Sequence, residues 1–239
     1  MASILATRLT MKRATRAANR ANLQTAIKET AWKQIAEFGA SALSLRAIAR
    51  ELGITTPAIY NYYSRRDDLV TALIIDAHTS FGDAQLAARE AVKADDFVRR
   101  LFAIGQAYRQ WAITHPQRYQ LIFGTPIPGY EAPIEQVLPS QARSLSVLVS
   151  VIEALRLAGK LKVDALPPTT PGHEAKFEGW KKHGVEADNL SLSIAMLIWS
   201  RVHGLVSLEI GGYLPPFGTN GDALYLYELI ARTQQFIKE

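Results

Sequence analysis

The sequence predicts an all-α protein, and three observations carry that prediction. Apolar residues recur at three- and four-residue spacing in most segments. Glycines and prolines stand where those segments end, as helix stops and starts. No run alternates convincingly with a period of two, and there is no internal repeat. The expected architecture is an N-terminal three-helix helix-turn-helix domain joined to a larger helical bundle. Its expected divisions are a basic arm (1–20), the helix-turn-helix (21–66) and the bundle (67–239).

Residues 1–20 hold Arg8, Lys12, Arg13, Arg16 and Arg20 with little apolar periodicity, and are expected as a flexible arm, helical near its end. From Asn22, the positions Leu23, Ile27, Ala31, Ile35 and Phe38 mark one face of a helix ending at Gly39. Ser44 caps a second helix with Leu45, Ile48, Ala49 and Leu52 inward, closed by Gly53. The stretch "ITTPAIYNYYSRRDD" follows. A proline here suits the first turn of a helix, where a missing N–H costs nothing, with Thr55 or Thr56 as N-cap.

Ser64-Arg65-Arg66-Asp67 has capping-box form and starts a long helix lined by Leu69, Leu73, Ile74, Ala77 and Phe81. Asp95 or Asp96 caps the next, with Phe97, Leu101, Ile104, Tyr108 and Trp111 inward and His115-Pro116 as its stop. A short helix (117–123) and a long one (134–158) follow, with Pro139 near the latter's start as a kink or a late beginning. Residues 160–187 are Pro/Gly-rich and polar, and are expected to be irregular, with Trp180 on a surface element. The apolar run 189–210 and a helix over 222–237 complete the chain.

Composition narrows the function classes. The absence of cysteine excludes disulfides and thiolate metal sites and suits a reducing cytoplasm. No uninterrupted apolar run approaches eighteen residues, so no membrane span is expected, and the basic start lacks the apolar core of a secretory signal. Charge is distributed unevenly: residues 1–66 carry +8 and the remainder −3. Charge alone fits either a polyanion-binding N-terminus or a solvated basic tail.

The unit over 45–63 separates these. A turn glycine at Gly53 and a small residue at Ala49 allow two helices to pack closely, with Ile54, Ile59 and Tyr63 inward. That leaves Thr55, Thr56, Asn61 and Tyr62 for base edges, and Ser44, Tyr60 and Arg66 for phosphates, in double-stranded DNA. Two packed helices of an ordinary bundle would show the same periodicity. The glycine offset, the hydroxyl-rich helix and the surrounding charge favour DNA.

The run "SLRAIARELGITTPAIYNYYSRRDDLVTAL", preceded by "AIKETAWKQIAEFGASAL", resembles the N-terminal domain of the TetR (tetracycline repressor) family. The resemblance covers residues 22–73. Carried across, it matches Thr55, Thr56, Asn61 and Tyr62 to groove-facing positions, and Ser44, Tyr60 and Arg66 to phosphate-contacting ones. Arg66 stands where the family more often has lysine, and Tyr62-Tyr63 where His-Phe is common. "HPQRYQLIFG" and "WSRVHGLVSLEI" resemble the subgroup with a Trp-x-x-x-His-Gly signature, here Trp199, His203 and Gly204. That resemblance implies homodimerisation through the last two long helices and a cavity for a small-molecule effector, with no cofactor.

Tyr108, Trp111, Tyr119, Phe123, Met196, Trp199 and His203 are the candidate pocket residues. Aromatics at helical spacing and a histidine on an apolar helix are also ordinary core residues. The five histidines form no pair at metal-binding spacing, and no nucleophile elbow is present, so no metal or catalytic residue is expected. The apolar residues of 190–210 cover more than one helix face, which calls for a second buried surface such as a two-fold dimer contact. A rival from another class is an all-helical enzyme or lipid-binding protein whose basic N-terminus serves another partner. A third reading is a regulator that answers to a protein partner.

Overall fold

The computed structural model describes residues 2–164, 166–167, 170–182, 185–214, 218 and 220–238, with side chains from residue 18 onward and excepting that of Pro171. Among the described residues it is helical and contains no strand, only an isolated antiparallel bridge between Leu161 and Ile237. The chain divides into two compact units, one of residues 1–73 and 123–132, the other of 74–122 and 133–239.

In the N-terminal unit, α1 (Ala2–Phe38) buries Ile27, Ala31 and Ile35. Two expectations change here. Residues 2–20, expected as a flexible arm, continue α1, because a polar, Ala- and Arg-rich segment propagates a helix already nucleated on an apolar stripe. Phe38, expected inward, is 62% exposed, being the last residue before the chain turns at Gly39 with φ 80°. A short 3-10 turn (Ala40–Ala42) leads to α2 (Leu45–Glu51), which the Ser44 hydroxyl caps by accepting from the Ala47 N–H at 3.3 Å. α3 (Thr56–Tyr60) begins with Thr55 as N-cap and Pro57 in the first turn.

α4 (Arg66–Glu90) contributes residues to both units. Its start differs in one detail: the capping carboxylate is Asp68, not Asp67. Asp68 accepts from the Ser64 hydroxyl at 2.5 Å and the Arg65 N–H at 3.0 Å, because the helix begins at Arg66. The Ser64 hydrogen bond, the larger cause, holds the Asp68 carboxyl below its ordinary range.

The second unit is built on α5 (Phe97–Thr114), α6 (Pro116–Phe123), α7 (Ile134–Leu157), α9 (Asn189–Ile210) and α10 (Asp222–Phe236). Phe123 itself, the end of α6, belongs to the first unit. Asp96 caps α5 by accepting from the Arg99 N–H at 3.1 Å, and Pro139 lies inside α7 rather than delaying it. The stretch expected to be irregular contains α8 (Pro171–Lys182), docked by buried Phe177 and by His173 Nε2, 2.9 Å from Ser193 Oγ on α9. By length and composition α9 could cross a membrane. Here its inner residues Leu192, Ile194, Ala195, Ile198, Val202 and Val206 are core, packed on α5, α7 and α10.

Candidate nucleic-acid interface and helical-domain cluster

The α2–turn–α3 unit is closed on one side and open on the other. Ile48, Ala49 and Ile59 are at most 1% exposed and Tyr63 is buried, so the expected inner face is sealed. Gly53 adopts φ 65°, the left-handed conformation that the turn requires and that glycine takes without a Cβ penalty. Thr55, Thr56, Tyr60 and Asn61 are exposed beside this core. Thr55 makes no side-chain cap bond to α3.

Tyr62 is half-buried, and the Arg20 guanidinium lies 5.7 Å from its ring centroid. Its ring is thus partly occupied by a cation–π contact that the sequence did not reveal. Ser44 is half-buried; its amide donates to Gln34 Oε1 at 3.3 Å, so that amide is committed inside the protein while its O–H remains able to donate outward. Arg66 holds Nη2 on the carbonyls of Ala40 (3.0 Å) and Ser41 (3.3 Å), with Nη1 3.7 Å from Asp67. It therefore clasps the 3-10 turn as well as offering charge. Arg65 pairs with Asp68 at 3.2 Å.

In the helical domain, four of the candidate pocket residues form one polar–aromatic cluster. His203 Nδ1 lies 2.9 Å from the Tyr108 hydroxyl and 3.0 Å from that of Tyr119. Trp199 stacks on the His203 ring at 4.8 Å between centroids and 18° between planes. Tyr119 has a second partner in Ser207 Oγ at 2.9 Å. Burial lowers the His203 pKa and raises those of both phenols, which favours the neutral form of all three; the imidazole tautomer sets which partner donates at Nδ1.

Trp111 stands beside this group through Phe81, 4.8 Å from its ring, and donates to Ser80 Oγ at 3.0 Å. Met196 is half-buried on α9, two turns before His203, and Phe123 lies in the other unit. A void of about 20 Å³ touches Tyr108 and Trp199. That is room for about one water, against hundreds of Å³ for an organic ligand.

Sequence reasoning missed a charged group that ties distant helices of this domain together. Arg109 binds Glu209 through two bonds, Nε to Oε2 at 2.7 Å and Nη2 to Oε1 at 2.5 Å, and pairs with Asp222. Glu209 Oε1 also accepts from the Gly221 N–H at 2.9 Å. The Arg109 hydrogen bond is the first cause holding Glu209 below the ordinary carboxylate range and raising Arg109. A charged residue inside the apolar run "LVSLEI" was the available signal. Among the described residues no group of three or more potential ligands could hold a metal ion.

Comparison with known proteins agrees with this architecture. Residues 27–73 match the bacterial regulatory proteins of the tetR family, and residues 101–232 match the tetracyclin repressor-like C-terminal domain. The HTH-type transcriptional regulator Rv1816 of Mycobacterium tuberculosis is 34% identical over 195 residues, 81% of this chain and 82% of that one. The crystal structure of SCO4313 superposes with a TM-score of 0.74 at 36% identity, covering 91% of this chain and 98% of that chain. A protein of unknown function from Rhodococcus sp. RHA1 shares the fold with a TM-score of 0.69 at 21% identity, over 90% and 96% of the two chains. With these relatives the rival of an all-helical enzyme falls away. The chain belongs to the TetR family and is a DNA-binding transcriptional regulator.

Proposed function

We propose that the protein is a ligand-responsive repressor in the cytoplasm that binds a pseudo-palindromic operator as a homodimer. The observation that carries this reading is the open edge of the α2–turn–α3 unit, where exposed Thr55, Thr56 and Asn61 border a sealed core inside the +8 segment. In it, Thr55, Thr56, Asn61 and Tyr62 meet base edges while Ser44, Tyr60 and Arg66 fix the phosphate register.

The homodimer contact is assigned to α9 and α10. Leu197 and Leu208 are 44% and 43% exposed on one face of α9, and α10 exposes Leu226, Tyr227 and Ile230. A two-fold contact covers such a face and sets two half-sites about 34–36 Å apart, or a multiple of that. A small molecule entering near Tyr108, Trp111, Tyr119, Trp199 and His203 would favour a second conformation through α4, whose Phe81 packs 4.7 Å from the Tyr108 ring. The ligand shifts DNA affinity by no more than its preference between the two states.

The test is genomic DNA selection followed by mobility shift on the selected fragments. Recovery of a two-fold repeat bound by dimers supports the reading. Recovery of single half-sites bound by monomers, or binding indifferent to sequence at low salt, refutes it.

A further inference from the structure

Arg232 on α10 is 2% exposed, and among the described residues no carboxylate pairs directly with its guanidinium. Its Nη2 donates to the Leu101 carbonyl at 2.8 Å, and its Nε is buried with no hydrogen-bond partner. Glu228, one turn earlier, is engaged by Arg201, whose Nη2 donates to Oε2 at 2.9 Å. Burial pulls the Arg232 pKa down only to about 10, so the guanidinium stays charged at neutral pH. Tyr225 and Glu228 favour its charge only through space, and a buried charge without a direct partner is among the costlier features a fold can retain.

The surroundings accommodate that cation rather than tolerate it. A Cβ on Gly105 would lie 2.7 Å from Arg232 Nη2, so the bare backbone of α5 is what lets the guanidinium sit there. Arg232 also lines the void of about 20 Å³, together with Gln85, Ser144 and Tyr108. Gln85 Nε2 donates to Ser144 Oγ at 2.5 Å, which leaves the serine O–H free to donate elsewhere. The rest of the wall is apolar, including Leu145, Leu148 and Val202.

We propose that this void is an interior anion site, and that the helical domain binds a monocarboxylate with an apolar body, its charged end on Arg232. This rests on the reading of the protein as ligand-responsive and names the chemical class of the ligand. The carboxylate supplies the partner that Arg232 lacks and accepts from Ser144, while the apolar body parts the aliphatic side chains of α7 and α9. A monatomic anion fits the void without that opening.

Two probes of different size therefore test it on the full chain. Crystals soaked in sodium bromide should show an anomalous peak within hydrogen-bond reach of Arg232. In calorimetry, octanoate should bind and neutral octanamide should not. Arg232→Met should weaken octanoate by at least about thirtyfold, the lower end for losing one partner of a buried charge pair. Should Arg232→Met fail to fold, the octanoate–octanamide comparison in the wild type decides alone.

An empty void in bromide, together with equal binding or no binding of acid and amide, overturns the anion site. DNA release is scored separately. Octanoate bound at Arg232 without release upholds the site and sinks the ligand-responsive reading. Release by octanamide with the void empty does the reverse.

Discussion

Arg66, proposed as a phosphate contact, also holds the fold together. Its bonds to Ala40 and Ser41 carbonyls close the 3-10 turn, so truncation acts on stability before it acts on DNA. Arg66→Ala should lower unfolding free energy by about 1–2 kcal/mol in urea titration. It should also reduce the slope of log Kd against log salt by about one phosphate contact. Arg66→Lys should keep that slope and lose only stability; a lysine variant with the alanine slope would remove Arg66 from the phosphate set. His78 carries a different prediction. Burial depresses its pKa to about 4, from an ordinary value near 6.5. Above 6.5 neither state is protonated, so stability does not depend on this group. As pH falls below 6.5 only the unfolded chain takes the proton, and stability declines until the folded pKa is reached. Between pH 7 and 5 the loss should be about 2 kcal/mol, and His78→Leu should remove that share in paired urea titrations. At this scale the legible residues were those with a local rule behind them. The Ser44 cap, the Asp96 cap and the Gly53 turn each follow from a neighbour within a few positions. The Arg20–Tyr62 contact does not, because it joins α1 to the segment just past the end of α3, about forty residues on.

Elements were legible where burial imposes a period. α4, α5 and α7 announce themselves because one face must be apolar to reach the core. α8 did not, since among its described side chains only Phe177 is buried, and its proline and two glycines read as punctuation. The early part of α1 escaped for a related reason: a helix extended from an existing one needs no stripe of its own. The capping carboxylate moved from Asp67 to Asp68 because both residues satisfy the pattern and only the actual start of α4 chooses. The turn between α2 and α3 admits a clean test. A Cβ at Gly53 meets nothing within 4 Å, so any substitution cost there is conformational rather than steric. Gly53→Val should cost about 1–2 kcal/mol and Gly53→Asn clearly less, measured as unfolding midpoints. Equal costs would mean that the φ 65° turn is not what the glycine secures.

At the scale of the whole molecule, pairings between distant positions were the illegible part. Arg109 and Glu209 lie a hundred residues apart, and only the packing of α5 on α9 joins them. The apolar excess of 190–210, in contrast, was plain in the sequence, and the structure leaves Leu197 and Leu208 uncovered on α9. If α9 and α10 form the homodimer contact, Leu208→Glu should shift the protein to a monomer in light scattering, with little change in monomer helicity. Operator affinity should then fall by about a hundredfold or more, because two linked half-sites reinforce each other. A variant that stays dimeric would move the interface elsewhere. Trp199 gives the molecule one further property. Its indole lies flat on the His203 ring and borders the void, while Trp111 is anchored to Ser80 nearby. Anything that enters the void must disturb an intrinsic fluorophore, so the protein's own emission records occupancy without a label.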